Sequence, residues 1–139
     1  MGRRIKPYEH IVQYYETDRM KITHHSNYIR FMEEARGDWM EQLGFGYKKM
    51  EDEGIISPVV SVSCEYKKTT TYMDKIQISV NVLNLTPIKL TVSYVMRKDD
   101  VVVCKGESSH CFLNEKGRPI RLDRQFPEFY AILEEELDQ

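Results

Sequence analysis

The spacing of apolar residues changes twice along the chain. From Tyr8 to Tyr15 apolar and polar residues alternate loosely, which predicts a first strand. A polar stretch without regular period follows, ETDRMKITHHSN. From Tyr28 the period lengthens: Tyr28, Phe31, Met32, Ala35, Trp39 and Leu43 recur at three- and four-residue steps. That is one apolar stripe of a helix, with Glu33, Arg36, Asp38 and Glu41 on the other faces. At about 16 residues it would run about 24 Å, ending where Gly44 and Gly46 can cap it. Tyr47 to Glu53 predicts a short second helix stopped by Gly54.

After Gly54 the period is two. Val60, Val62, Cys64 and Tyr66 alternate with Ser61, Ser63, Glu65 and Lys67. Ile76 to Val82 and Ile88 to Met96 repeat the pattern, and Val101 to Leu113 is a longer run that contains Gly106. Asp99-Asp100 and residues 114–117 read as turns. Half-buried strands with short connections predict an antiparallel meander. Pro127 to Leu137 predicts a terminal helix packing through Phe129, Ile132 and Leu133. The order is therefore strand, long helix, then about four strands: an α+β chain. A sheet of about five strands curled around the helix buries its stripe most economically.

At 139 residues the chain makes one domain, large enough to hold a core without disulfides or metal. A formal net charge of −2 argues against a general nucleic-acid binder. No apolar run approaches the ~20 residues of a membrane span. The start, MGRRIKPYEH, lacks the apolar core of a secretory signal, and Lys6 stands where myristoylation wants Ser or Thr. Cys64, Cys104 and Cys111, an odd number without CxxC spacing, read as reduced core thiols in a cytoplasmic protein. The basic start (Arg3, Arg4, Lys6) and the acidic end from Glu128 read as solvated termini.

The chemistry concentrates between Tyr14 and Arg36. Asp18, His24, His25 and Asn27 stand just before the long helix. A helix N-terminus offers unpaired N–H groups and the positive end of the dipole. It can polarise a carbonyl, while a nearby carboxylate acts as base or nucleophile. The same residue types also make an ordinary turn with an aspartate and two surface histidines, and composition alone favours that reading. Ser26 or Asn27 can cap the helix, but Ile29 and Arg30 stand where a capping box wants Glu or Gln.

Asp18, His24, His25 and His110 are the candidate metal ligands. Adjacent histidines point apart in extended chain and no HxxxH or HExxH spacing occurs, so no metal site is expected. There is no GxSxG motif and no phosphate-cradling glycine loop. Lys67 and Lys68 either meet a phosphate or end a solvated strand.

Tyr14-x-Glu16-Thr17-Asp18-x-Met20, then His24-His25-Ser26-Asn27-Tyr28, then Phe31-x-Glu33-Glu34-Ala35-Arg36, resembles the hotdog-fold acyl-CoA thioesterases of the 4-hydroxybenzoyl-CoA thioesterase type. The likeness is strongest to the branch with the Tol-Pal-associated acyl-CoA thioesterases. It covers about residues 8–122, with looser agreement at Tyr66 to Asp74 and His110 to Pro119.

The resemblance implies a single hotdog domain over 1–139 that hydrolyses an acyl-CoA to a free acid and CoA. Asp18 would be the catalytic carboxylate, His25 part of the active site beside the polarising helix start, and Tyr14 the matching aromatic. Asn27 and Tyr28 match the family's helix start. Lys21, Lys67 and Lys68 are candidate substrate contacts. No metal or bound cofactor is implied, CoA being part of the substrate. The resemblance also implies a homodimer, or a homotetramer of paired dimers, with active sites shared between subunits.

Two positions depart from the pattern: Lys21 replaces a usual Gly, and Thr69-Thr70 a common Pro-Ala. Two alternatives stay open, an acyl carrier protein thioesterase and a non-catalytic module binding acyl-CoA or protein.

Overall fold

The structure, a computed structural model, describes residues 5–137. Arg3, Arg4 and Asp138 lie outside the described residues. Helix α1 spans Asn27–Leu43, one residue earlier than its apolar stripe. Tyr28, Phe31, Met32, Ala35, Trp39 and Leu43 are all buried. Gly44 closes α1 at φ +88°, a left-handed turn that costs glycine little, its N–H meeting the Met40 and Glu41 carbonyls. Helix α2 (Tyr47–Asp52) follows and turns at Gly54.

Strands β1 (Tyr8–Ile11), β2 (Val59–Tyr66), β3 (Lys75–Thr86), β4 (Lys89–Lys98) and β5 (Val101–Cys111) form one antiparallel sheet in the order β1-β3-β4-β5-β2. The expected alternation is visible in burial. Ile76, Ile78, Leu90, Val92, Tyr94 and Met96 are buried against the helix side. Asp99 and Asp100 turn β4 into β5 with φ +49° and +65°, the paired positive values of a tight hairpin.

Two expectations need correction. The first strand is shorter than the alternation suggested: β1 stops at Ile11 and Tyr14–Glu16 is a 3₁₀ turn. The strands are also not a simple meander. β3, β4 and β5 are neighbours in chain order, but β2 pairs with β5 at the far edge. Residues 67–74 carry the chain across the sheet's width, and Thr70 in that crossing bonds to Thr23 and Tyr28 beside the start of α1. Alternation sets which face a strand buries, not which neighbour it takes.

Edge position leaves β2 open. Val60, at a register shift in the pairing, is 59% exposed, and Val62 is 40% exposed although it shares a face with Cys64, whose Sγ reaches Met32 Sδ at 3.5 Å. Opposite Cys64 stands Gly106. A Cβ there would lie 2.9 Å from both Met32 Sδ and the Ser63 carbonyl, so glycine lets α1 lie against the sheet.

Helices α3 (Leu122–Gln125) and α4 (Pro127–Leu137) close the fold, Phe129 stacking on Phe45 at 4.8 Å. A polar chain runs through the core. Arg36 donates to the Tyr94 hydroxyl (3.1 Å), which meets Ser108 Oγ (2.7 Å), which meets His110 Nε2 (2.8 Å). Burial, with the Arg36 charge adding, pushes the His110 imidazole down to about 4. Cys104 is buried and Cys64 and Cys111 half-buried, all as free thiols. Among the described residues no helix is long and apolar enough to cross a membrane.

Candidate active site

The polar stretch before α1 folds into a narrow loop. Thr17 bridges Thr23, the Asp18 N–H meets the Ile22 carbonyl (2.9 Å), and the Lys21 N–H meets the Asp18 carbonyl (2.9 Å). This turn puts Lys21 at φ +67°, a conformation that favours glycine and costs other residues about 1 kcal/mol or more. Asp18 Oδ1 accepts the Met20 N–H at 2.8 Å, a local aspartate turn. Asp18 Oδ2 has no partner among the described residues.

The loop is fastened to the crossing segment. The Thr23 N–H donates to the Thr70 carbonyl (2.8 Å), and Thr71 Oγ1 donates to the Lys21 carbonyl (2.7 Å). Thr23 Oγ1, Thr70 Oγ1 and the Tyr28 hydroxyl form a buried chain with steps of 2.6 and 2.9 Å.

At the start of α1, Ser26 makes no side-chain cap, its Oγ lying 2.8 Å from His24 Nδ1. The Asn27 and Tyr28 N–H groups are used by the His24 and His25 carbonyls. The His25 N–H has no partner among the described residues. This amide is the donor left for a ligand, one group where a helix start in general offers several.

A cleft of about 770 Å³ opens between the loop, the helix start and the end of β2. Met20, Ile22, Tyr28 and Tyr66 form its apolar wall, Asp18 and His25 its polar end, and Lys67 and Lys68 its basic end. The His25 ring stacks on His24 at 4.3 Å and meets Tyr66 edge-on at 6.1 Å. Tyr66 donates its hydroxyl to the His25 carbonyl at 3.2 Å. Burial, with Cys64 beside it, pushes the Tyr66 phenol up to about 12, so it stays a donor. Lys67 pairs with Glu65 at 2.8 Å, leaving Lys68 the more available cation.

Of the eight residues singled out in the sequence, the cleft gathers Asp18, His25, Tyr28, Lys67 and Lys68. Tyr14 is 76% exposed and packs edge-on against Tyr72, outside the lining. Asn27 turns its amide to the Glu16 carbonyl at 2.9 Å. Lys21 lies off the cleft and enters through its backbone. Among the described residues no three His, Cys, Asp or Glu side chains gather as metal ligands.

Four residues near the site were not foreseen as such: Tyr66, Thr70, Glu16 and His10. Tyr66 could have been found, since it ends an alternating strand just before the two lysines. Glu16 stood in the motif and Thr70 in a departure from it, but their bonds, like those of His10, are set by the folded chain and could not be read from the sequence.

Residues 12–135 match the family described as the thioesterase-like superfamily. The chain belongs to the thioesterase-like superfamily. Its sheet wrapped on one long helix is the hotdog fold.

An Aquifex aeolicus protein provisionally named an esterase is 38% identical to this thioesterase-like chain over 118 residues, 85% of this chain and 91% of its own. The Bacillus subtilis protein YneP, provisionally named an acyl-CoA thioesterase, is 33% identical over 125 residues, 88% of this chain and 91% of its own. The crystal structure of a DHNA-CoA thioesterase from Staphylococcus aureus has a TM-score of 0.88 at 32% identity, covering 93% of this chain and 88% of that one.

Proposed function

We propose that this protein hydrolyses acyl-CoA thioesters to a carboxylic acid and CoA. The observation that carries the reading is the polar end of the cleft. Asp18, which has a carboxylate oxygen without a partner among the described residues, and His25, whose N–H is free at the start of a long helix, both line one apolar-walled cleft, in a chain of the thioesterase-like superfamily. The order of motifs from Asp18 to Arg36 favours the 4-hydroxybenzoyl-CoA thioesterase type within it.

In this reading the acyl group lies along Met20, Ile22, Tyr28 and Tyr66. The thioester oxygen takes the His25 N–H, where the helix dipole favours developing negative charge. Asp18 Oδ2 then does one of two things. As a base it takes a proton from water while the water oxygen bonds to the carbonyl carbon. As a nucleophile it bonds to that carbon itself, giving an anhydride that water opens. On either route the C–S bond breaks and CoA leaves as thiolate, to be protonated. The His25 imidazole orients substrate or water. Lys68, with Lys67, faces the CoA phosphates. No cofactor is required.

The active unit is a homodimer joined along β2, with homotetramers formed from paired dimers. Support comes from the exposed edge of β2, which carries Val60 and Val62 and leads through Tyr66 into the cleft. An unpaired apolar edge of this kind is usually covered. The cleft would then lie against the second subunit and be shared with it. Three free thiols agree with a reducing compartment such as the cytoplasm.

Free CoA thiol, followed by colour over acetyl-, hexanoyl-, palmitoyl- and benzoyl-CoA, tests the reading. Turnover on at least one is expected, with the profile reporting how deep the apolar wall reaches. Turnover on acyl carrier protein thioesters but not on these would move the carrier. Binding of the thioesters without thiol release would make the cleft a binding module.

A further inference from the structure

Glu16 is the one carboxylate among the described residues with almost no exposure, at 2%. A buried carboxylate is costly unless hydrogen bonds compensate it. Glu16 Oε1 has two partners, the Gln13 N–H and His10 Nε2, each at 2.8 Å. Its backbone carbonyl has two more, the His24 N–H at 2.8 Å and Asn27 Nδ2 at 2.9 Å. One residue thus ties β1, the 3₁₀ turn, the end of the Asp18 loop and the first residue of α1.

His10 extends the tie. It is 8% exposed, its ring lies over Phe31 at 4.0 Å, and its Nδ1 faces Glu34 Oε2 on α1 at 3.4 Å. Glu34 is steadied in turn by the Tyr8 hydroxyl at 3.4 Å. Neither Glu16 nor His10 lines the cleft. Yet Asp18 stands two residues after Glu16, and His25 one residue after His24. The two groups given the chemistry sit on opposite sides of a single knot.

We infer that Glu16, held by His10, is the positioning residue that sets the separation of the Asp18 carboxylate and the free His25 amide. This rests on the thioesterase reading above. A shift of about 1 Å between such groups costs about 10²-fold in rate, so a buried, four-bonded residue between them acts on turnover rather than on binding.

The test compares Glu16→Met, which keeps the length and removes the acceptor, with Glu16→Gln, which keeps an acceptor oxygen. Hydrolysis of hexanoyl- and benzoyl-CoA is measured well below the melting temperature. Backbone amide exchange is followed in residues 17–28 and in β3 to β5. In Glu16→Met, kcat should fall at least about tenfold with KM within about twofold, while exchange quickens in 17–28 alone. Glu16→Gln should keep kcat within about threefold of wild type.

Wild-type kcat in Glu16→Met would overturn the inference. So would a loss of kcat that tracks quickened exchange throughout β3 to β5, since Glu16 would then merely hold the fold. If Glu16→Met does not fold, His10→Phe keeps a ring over Phe31 and removes the donor, and the same pattern is expected. If wild type hydrolyses none of acetyl-, hexanoyl-, palmitoyl- and benzoyl-CoA, the thioesterase reading fails by itself. The exchange arm then decides the positioning claim: unchanged protection of 17–28 in Glu16→Met would overturn it.

Discussion

The phenol of Tyr28 stands 2.9 Å from Thr70 Oγ1, and that oxygen stands 2.6 Å from Thr23 Oγ1. Thr23 Oγ1 also reaches the Thr70 carbonyl at 3.2 Å. The three hydroxyl protons can therefore run in one direction and end on a backbone oxygen. This is what the departure from Pro-Ala does: it brings a hydroxyl under the cleft and locks the helix start to the crossing segment. Thr70→Val keeps the shape but strands the Tyr28 hydroxyl. It should destabilise the fold by about 1–3 kcal/mol, read as a lower urea midpoint with unchanged slope.

His110 predicts a pH dependence of stability. Its imidazole is held down at about 4 in the folded chain, against an ordinary value of 6.5. Above pH 6.5 both folded and unfolded chains carry it neutral. Between 6.5 and 4 the unfolded chain takes up the proton first, so stability falls as pH falls. The full loss, reached near pH 4, is on the order of 3 kcal/mol. Urea unfolding at pH 7 and pH 4.5 should show a smaller drop in His110→Gln than in wild type. Equal drops would remove His110 from the account.

Gly106→Ala should be costly although glycine is poor in strands. The new methyl meets a backbone carbonyl that cannot move freely and the Met32 sulfur, each at 2.9 Å. Overpacking of this kind costs about 1–3 kcal/mol. Thermal melting reads it as a lower midpoint than wild type.

The proposed dimer predicts that Val60→Lys, on the open face of edge strand β2, lowers the oligomeric state. Sedimentation velocity should show a slower species with unchanged far-UV dichroism. Thiol release should fall with it if the site is shared. An unaltered oligomer would place the contact elsewhere.

The long helix was legible because its stripe answers to one requirement, burial against a sheet. Every stripe residue from Tyr28 to Leu43 is buried. The Asp99-Asp100 turn was legible for a local reason, since few residues accept two successive positive φ values. The place of β2 was not. Its alternation is as regular as that of β4, and only the long crossing at 67–74 separates the two.

Site residues divide in the same way. Asp18 and His25 stand within one short stretch, and their resemblance to a family is local. Glu16 takes its meaning from His10, Asn27 and His24, and Thr70 from a helix some forty residues earlier. Lys21 lies between these cases. Replacement of glycine was visible, but its cause is the φ of +67°, which pairing inside the loop imposes.

Asp18→Asn beside wild type in the thiol-release assay asks whether this carboxylate carries the hydrolysis. Asn keeps an oxygen to accept the Met20 N–H, so the loop keeps its turn, while the side chain loses its charge, its basicity and its nucleophilic oxygen. kcat should fall by about 10²- to 10⁴-fold with an unchanged melting temperature. Wild-type turnover in folded Asp18→Asn would contradict it.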